Sequence, residues 1–133
     1  MAEHERLTRL LAEDIDRLLA ETDALLWEGI DFASTDLDTT LRKIHLLRAA
    51  AELIDIRMVQ LFGGRQGPTR SPGILEQVIA ATFQTFGREE IHRDHFEKAA
   101  MLWRGITGGH PFEDGNKRTG FMLASYYLER AAS

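Results

Sequence analysis

The sequence predicts an all-α protein. Three observations carry that expectation. Apolar residues recur at three- and four-residue steps, glycine pairs punctuate those stretches, and no segment alternates with the period of a strand. A chain of 133 residues fits one domain with one core, spanning residues 1–133.

The first helix carries Leu7, Leu10, Leu11, Ile15, Leu18, Leu19 and Leu25, with charged residues in the gaps. It is expected over residues 1–30 and to end near Gly29. Residues 31–36 read as a turn in which Asp36 or Ser34 caps the next helix. That second helix presents Leu37, Leu41, Ile44, Leu47, Ala51, Ile54, Met58 and Leu61 on one face, and Gly63-Gly64 stops it. Residues 63–73 form a loop with four glycines, two prolines, Arg65 and Arg70, the segment best suited to move. A third helix carries Leu75, Val78, Ile79 and Phe83 and runs to about Gly87. The fourth starts after Asp94, which has Glu97 at capping-box spacing. It passes Phe96, Ala99, Ala100, Trp103 and Ile106 and reaches Gly108-Gly109. A fifth covers roughly Asn116 to Ala131. Trp103, Tyr126 and Tyr127 read as core or core-rim residues. His92 and His95 share a metal-compatible spacing but read as a solvated face.

Composition narrows the function. A net charge of −5 argues against direct nucleic-acid binding. The absence of cysteine excludes disulfides, thiolate metal sites and cysteine nucleophiles. Residues 1–5 are acidic and lead into no apolar stretch of signal-peptide type, and no apolar run is long enough to span a bilayer. The expectation is a cytoplasmic protein with no membrane partner. Self-association is left open.

Residues 110–120, His-Pro-Phe-Glu-Asp-Gly-Asn-Lys-Arg-Thr-Gly, hold most of the chemistry. They lead directly into an apolar helix, so the cluster sits at a helix N-terminus, where backbone N–H groups and the dipole favour anions. An imidazole ordinarily titrates near neutral pH, which suits His110 to act as general base toward a hydroxyl. Phe112 anchors the loop in the core. Asp114 is a hard oxygen ligand for Mg²⁺, or else an N-cap. Gly115 and Asn116 bring backbone amides close to a phosphate. Lys117 and Arg118 either neutralise phosphate charge or form a solvated basic pair.

These residues resemble the signature of the Fic/Doc superfamily, in which the Fic branch reads H-P-F-x-D/E-G-N-G-R-x-x-R and the Doc (death-on-curing) branch ends N-K-R. The segment Arg70-Ser71-Pro72-Gly73-Ile74-Leu75-Glu76-Gln77-Val78 resembles the R-x-x-G-L-L-E-S-A stretch in and after the substrate flap of Doc proteins. The resemblance implies a Fic-fold helical bundle with a flap before the third helix. It also implies use of ATP and Mg²⁺, with a protein substrate. Lys117 stands where the Fic branch has glycine, and Phe121 where it has a second arginine that clamps the nucleotide for adenylylation. The Doc branch shares both departures, which implies transfer of the γ-phosphate to a Ser/Thr hydroxyl. A translation elongation factor is then the implied target, and an antitoxin the implied partner. The alternatives are a Fic-type adenylyl or nucleotidyl transferase and a non-catalytic phosphate-sensing module. Arg65 and Arg70 are expected either to touch phosphate or target or simply to be solvated. Ala24-Leu25-Leu26-Trp27-Glu28-Gly29 resembles the inhibitory [S/T]-x-x-x-E-[G/N] motif of some relatives, with Ala24 at its first position. Glu28 is thus a candidate inhibitory residue, and a plain helix-ending Glu-Gly pair is the favoured alternative.

Overall fold

The computed structural model describes residue 17 and residues 23–65, 73–87 and 89–132. Most of the expected N-terminal helix, and most of the 63–73 loop with Arg70, lie outside the described residues. Within them the protein is all-α apart from one small hairpin. The elements are α1 (Asp23–Trp27), α2 (Leu37–Phe62), α3 (Gly73–Thr82), β1 (Thr85–Phe86), β2 (Glu89–Glu90), α4 (His95–Gly109) and α5 (Asn116–Ala132).

The helix boundaries follow local hydrogen-bond chemistry. Asp36 caps α2, its carboxylate accepting from the Thr39 N–H at 3.3 Å. Ser34 Oγ in turn accepts from the Asp36 N–H at 3.1 Å, so both candidate caps serve the same turn. Gly63 closes the helix at φ +89°, with its N–H donating to Val59 O. Asp94 caps α4 by accepting from the Glu97 N–H at 2.7 Å. The Glu97 side chain reaches back one residue further than in a standard capping box, to the Arg93 N–H at 3.0 Å.

The most extensive helix pair is α4 with α5, flanked by α2 against α5 and α3 against α4. Their shared core holds Leu47, Ala51, Ile79, Leu102, Ile106, Leu123 and Tyr127, all fully buried. Two close approaches fix the geometry. A Cβ on Gly105 would lie 2.5 Å from Val78 Cγ1, so α3 seats Val78 directly on the backbone of α4. A Cβ on Gly120 would lie 3.1 Å from Trp103 O, which lets the start of α5 lie tight on α4. The site therefore grows from the best-packed part of the molecule.

Three expectations need correction. The third helix stops at Thr82 and does not continue to Gly87. After it come tightened turns from Phe83 and Gln84, then an antiparallel hairpin pairing Thr85 with Glu90 and Phe86 with Glu89. Gly87 supplies the reversal at φ +68°. Strands of two residues are too short to display a period. The apolar stripe of α2 is also covered only in its middle: Leu37, Leu41 and Leu61 are exposed. With 26 residues α2 runs about 39 Å, against about 26 Å for α5 and about 15 Å for α3, the helices it packs on, so its end turns overhang. Finally, His95 is no solvated surface residue. Its Nδ1 lies 3.1 Å from Tyr127 Oη and its ring meets Phe32 edge-on. Beside it, Lys43 and Lys98 are both buried. Lys98 pairs with Glu90 at 2.9 Å, and Lys43 donates to Ser34 O at 3.0 Å. Burial holds the Lys43 ammonium below the usual lysine range.

Candidate functional site

The C-terminal end of α4, the loop 110–115, the N-terminal turn of α5 and the last turn of α2 meet around one open cleft. The cleft measures about 440 Å³ and is lined by His110 and residues 113–118. A single local device builds the loop. Asn116, the first residue of α5, is buried, and its amide clamps the loop backbone: Oδ1 accepts from Phe112 N–H at 3.0 Å and Nδ2 donates to Phe112 O at 2.9 Å. Phe112 itself is 3% exposed and belongs to the core. The loop is thus pinned by one side chain below and one beside it.

His110 occupies the only positive-φ non-glycine conformation among the described residues, at φ 49° and ψ 55°. It caps α4, its N–H donating to Ile106 O at 3.2 Å. A left-handed residue bearing a Cβ costs about 1 kcal/mol or more, so this backbone is held by its surroundings. The helix reaches Gly108-Gly109 as the sequence predicts, runs through both glycines and turns at the histidine. The result is an exposed imidazole on the cleft rim. Its Nδ1 lies 3.3 Å from Asn116 Nδ2, whose other hydrogen is taken by Phe112 O. An amide nitrogen can only donate, so in that contact Nδ1 is the acceptor and offers its lone pair.

Gly115 reaches φ +81°, and a Cβ there would lie 2.9 Å from Asp55 Oδ1 on α2. Asp55 is buried and accepts from Thr119 Oγ1 at 3.2 Å, which ties α2 to the first turn of α5. The first i−4 bond at this end is Thr119 N–H to Gly115 O at 2.8 Å. By helix geometry the N–H groups of Asn116, Lys117 and Arg118 therefore precede the ladder, and the positive end of the dipole faces the cleft. Asp114 does not cap the helix. Its Oδ2 accepts from the backbone N–H of Arg65 at 2.8 Å, across 49 positions of sequence.

Lys117 and Arg118 are exposed, and the Arg118 guanidinium lies over the Phe62 ring at 4.1 Å. Two carboxylates (Glu113, Asp114) face two cations (Lys117, Arg118), so the side-chain charges cancel and the positive bias comes from the helix end. Such a cleft suits a phosphate that brings a divalent cation with it. Among the described residues no cluster of three or more His, Asp or Glu could hold a metal alone. Asp114 fits the sparser arrangement of Mg²⁺, which takes one or two carboxylates and completes its shell with phosphate and water.

The structure does not bring every expected residue here. Arg65 enters through its backbone, with an exposed side chain. Glu28 is exposed and lies outside the cleft lining. The preceding residue, Trp27, donates its Nε1–H to Tyr126 Oη at 2.7 Å, eight residues beyond Arg118 and about 12 Å further along α5. Phe121 packs edge-on against Trp103, with ring centroids 5.1 Å apart. Sequence reasoning missed Phe62, Gly64 and Asp55, all on or just after α2. Their only signals were an aromatic residue before a glycine pair and a carboxylate within an apolar stripe.

Residues 40–128, about two thirds of the chain, match the model of the Fic/DOC family. No curated protein and no solved structure matches the chain.

Proposed function

The chain belongs to the Fic/DOC family, and from that premise we propose that it is a Doc-type protein kinase. It moves the γ-phosphate of ATP to a serine or threonine hydroxyl of a target protein. One observation carries the choice of phosphate over nucleotide. Where adenylylating members hold the far end of the triphosphate with an arginine, this chain has Phe121, packed on Trp103 and absent from the cleft lining. The cations that do line the cleft, Lys117 and Arg118, sit together at the first turn of α5.

In this reading Asp114 holds Mg²⁺, which when bound neutralises charge on the phosphates. The backbone amides at the start of α5 and the Lys117 and Arg118 side chains stabilise charge on the transferring group. Gly115 leaves room for that approach, and Asn116 acts chiefly by holding the loop in shape. His110 takes the hydroxyl proton at Nδ1, the nitrogen that bears the lone pair, when the 3.3 Å contact to Asn116 yields to the incoming hydroxyl. The acceptor oxygen bonds to phosphorus, the bond to the β-phosphate oxygen breaks, and ADP leaves. A translation elongation factor is the proposed target class, and an antitoxin the proposed partner. Glu28 is not assigned an inhibitory role, because Trp27 fixes it toward the other end of α5.

The test is incubation with candidate targets and ATP labelled at either the α or the γ position. Label arriving on protein from the γ position is the expected result. Label from the α position alone overturns the kinase reading in favour of nucleotide transfer. Label from neither position, across translation-factor targets, would favour a non-catalytic phosphate sensor.

A further inference from the structure

Two oppositely charged side chains that line one cleft ordinarily tend to pair with each other. Asp114 and Arg118 both line this cleft, yet each is held by a different, uncharged partner. Asp114 is held by the Arg65 N–H and Arg118 by the face of Phe62. Both partners lie in one short segment, residues 62–65, where α2 ends and the glycine-rich loop begins.

We infer that Phe62–Arg65 is a positioning element that keeps the metal-binding carboxylate and the phosphate-binding guanidinium apart and aimed into the cleft. The inference rests on the reading of Asp114 and Arg118 given above. A neutral partner fixes a charged group without cancelling its charge, so both remain available to a ligand. The geometry of the segment is specific to the task. Gly64 sits at φ +114°, and a Cβ there would lie 2.7 Å from Asp114 Cβ and 3.1 Å from Asp114 Oδ2. The backbone thus runs so close to Asp114 that only glycine allows the Arg65 N–H to reach it. Gly63, next to it, also has positive φ, at +89°, but a Cβ there would meet nothing within 4 Å. Phe62 is 57% exposed, a poor place for an aromatic ring unless something uses its face. Phe62, Gly64 and the Arg65 amide are positioning groups, acting through Asp114 and Arg118.

The neighbouring glycines supply a matched experiment on the full chain. Calorimetry would measure ADP affinity with and without Mn²⁺, so that the gain caused by Mn²⁺ reports on Asp114 and the Mn²⁺-free affinity on Arg118. Gly64→Ala should cut the Mn²⁺-dependent gain by about tenfold, while Gly63→Ala, with similar backbone strain, should leave it intact. Phe62→Leu should weaken Mn²⁺-free ADP binding by about two- to fivefold, and Phe62→Tyr, which keeps a ring, should restore it. Should Gly64→Ala fail to fold, hydrogen exchange carries the same test: Arg65 amide protection should be lost in Asp114→Ala and kept in Glu113→Ala. If the two glycine variants behave alike, if Phe62→Leu binds like wild type, or if the Arg65 amide is indifferent to Asp114, the inference is overturned. If Asp114→Asn keeps the full Mn²⁺-dependent gain, or wild type shows none, the underlying reading fails and takes the inference with it.

Discussion

The last helix carries charge at both ends, and the two ends treat it in opposite ways. At the C-terminal end Arg130 pairs with Asp23, which also accepts from Tyr126 Oη. Trp27 covers Tyr126 from the other side. Nearby, the buried Lys98 is matched by Glu90. Arg130 and Lys98 are each matched there by a carboxylate, and the product is a closed, aromatic-rich joint between α1, α4, α5 and the hairpin. At the N-terminal end Asp114 rests on a backbone amide and Arg118 on an aromatic ring, and neither charge is cancelled by its partner. The difference teaches how to separate structural from ligand-directed charge in a small helical protein. The nature of the partner is more informative than exposure alone.

That contrast can be broken from either end. The largest effect is expected at the cleft: His110→Ala should lower target modification by about 10²- to 10⁴-fold, with the melting temperature nearly unchanged because the side chain is exposed. At the other end the signs reverse. Glu90→Ala strands the buried Lys98 ammonium and should cost about 3 kcal/mol in urea unfolding, while activity per folded molecule stays near wild type. Asp23→Ala removes both the partner of Arg130 and the acceptor of Tyr126, and about 1–2 kcal/mol is the expected loss, again without change in activity.

The smallest effect concerns pH. His95 is held below the usual imidazole range, first by burial and then by the nearby Lys98 cation. In mild acid the unfolded chain therefore binds a proton that the folded protein resists. The stability this contributes is present in full above the ordinary imidazole pKa and is lost as pH falls from there through the lower folded-state value. Unfolding scans between about pH 7.5 and pH 5 should show a shallower decline for His95→Phe than for wild type. Equal slopes would mean that His95 does not contribute to acid sensitivity.

What the sequence made legible was chemistry acting over a few residues. The Asp36 and Asp94 caps, the glycine stop of α2 and the start of α5 each depend on neighbours within one turn. The hairpin escaped because its pairing depends on Gly87 and on the tertiary bond from Glu90 to Lys98. His95 escaped for the same kind of reason, since Tyr127 and Phe32 come to it from distant segments. At the site, residues 110–118 were readable as a group because they are contiguous. The bonds that aim them, Arg65 to Asp114 and Phe62 to Arg118, join positions dozens of residues apart and leave no local pattern.

One feature of the cleft bears on how this protein would respond to engineering for robustness. His110 turns the end of α4 in a left-handed conformation that glycine would adopt without strain. His110→Gly should therefore raise stability slightly, by up to about 1 kcal/mol, while removing the imidazole altogether. A screen that scored survival on heating would favour that change, and would enrich sturdier molecules that no longer act on their target. Heat tolerance and activity are in opposition at this single position, so any such screen has to select on both.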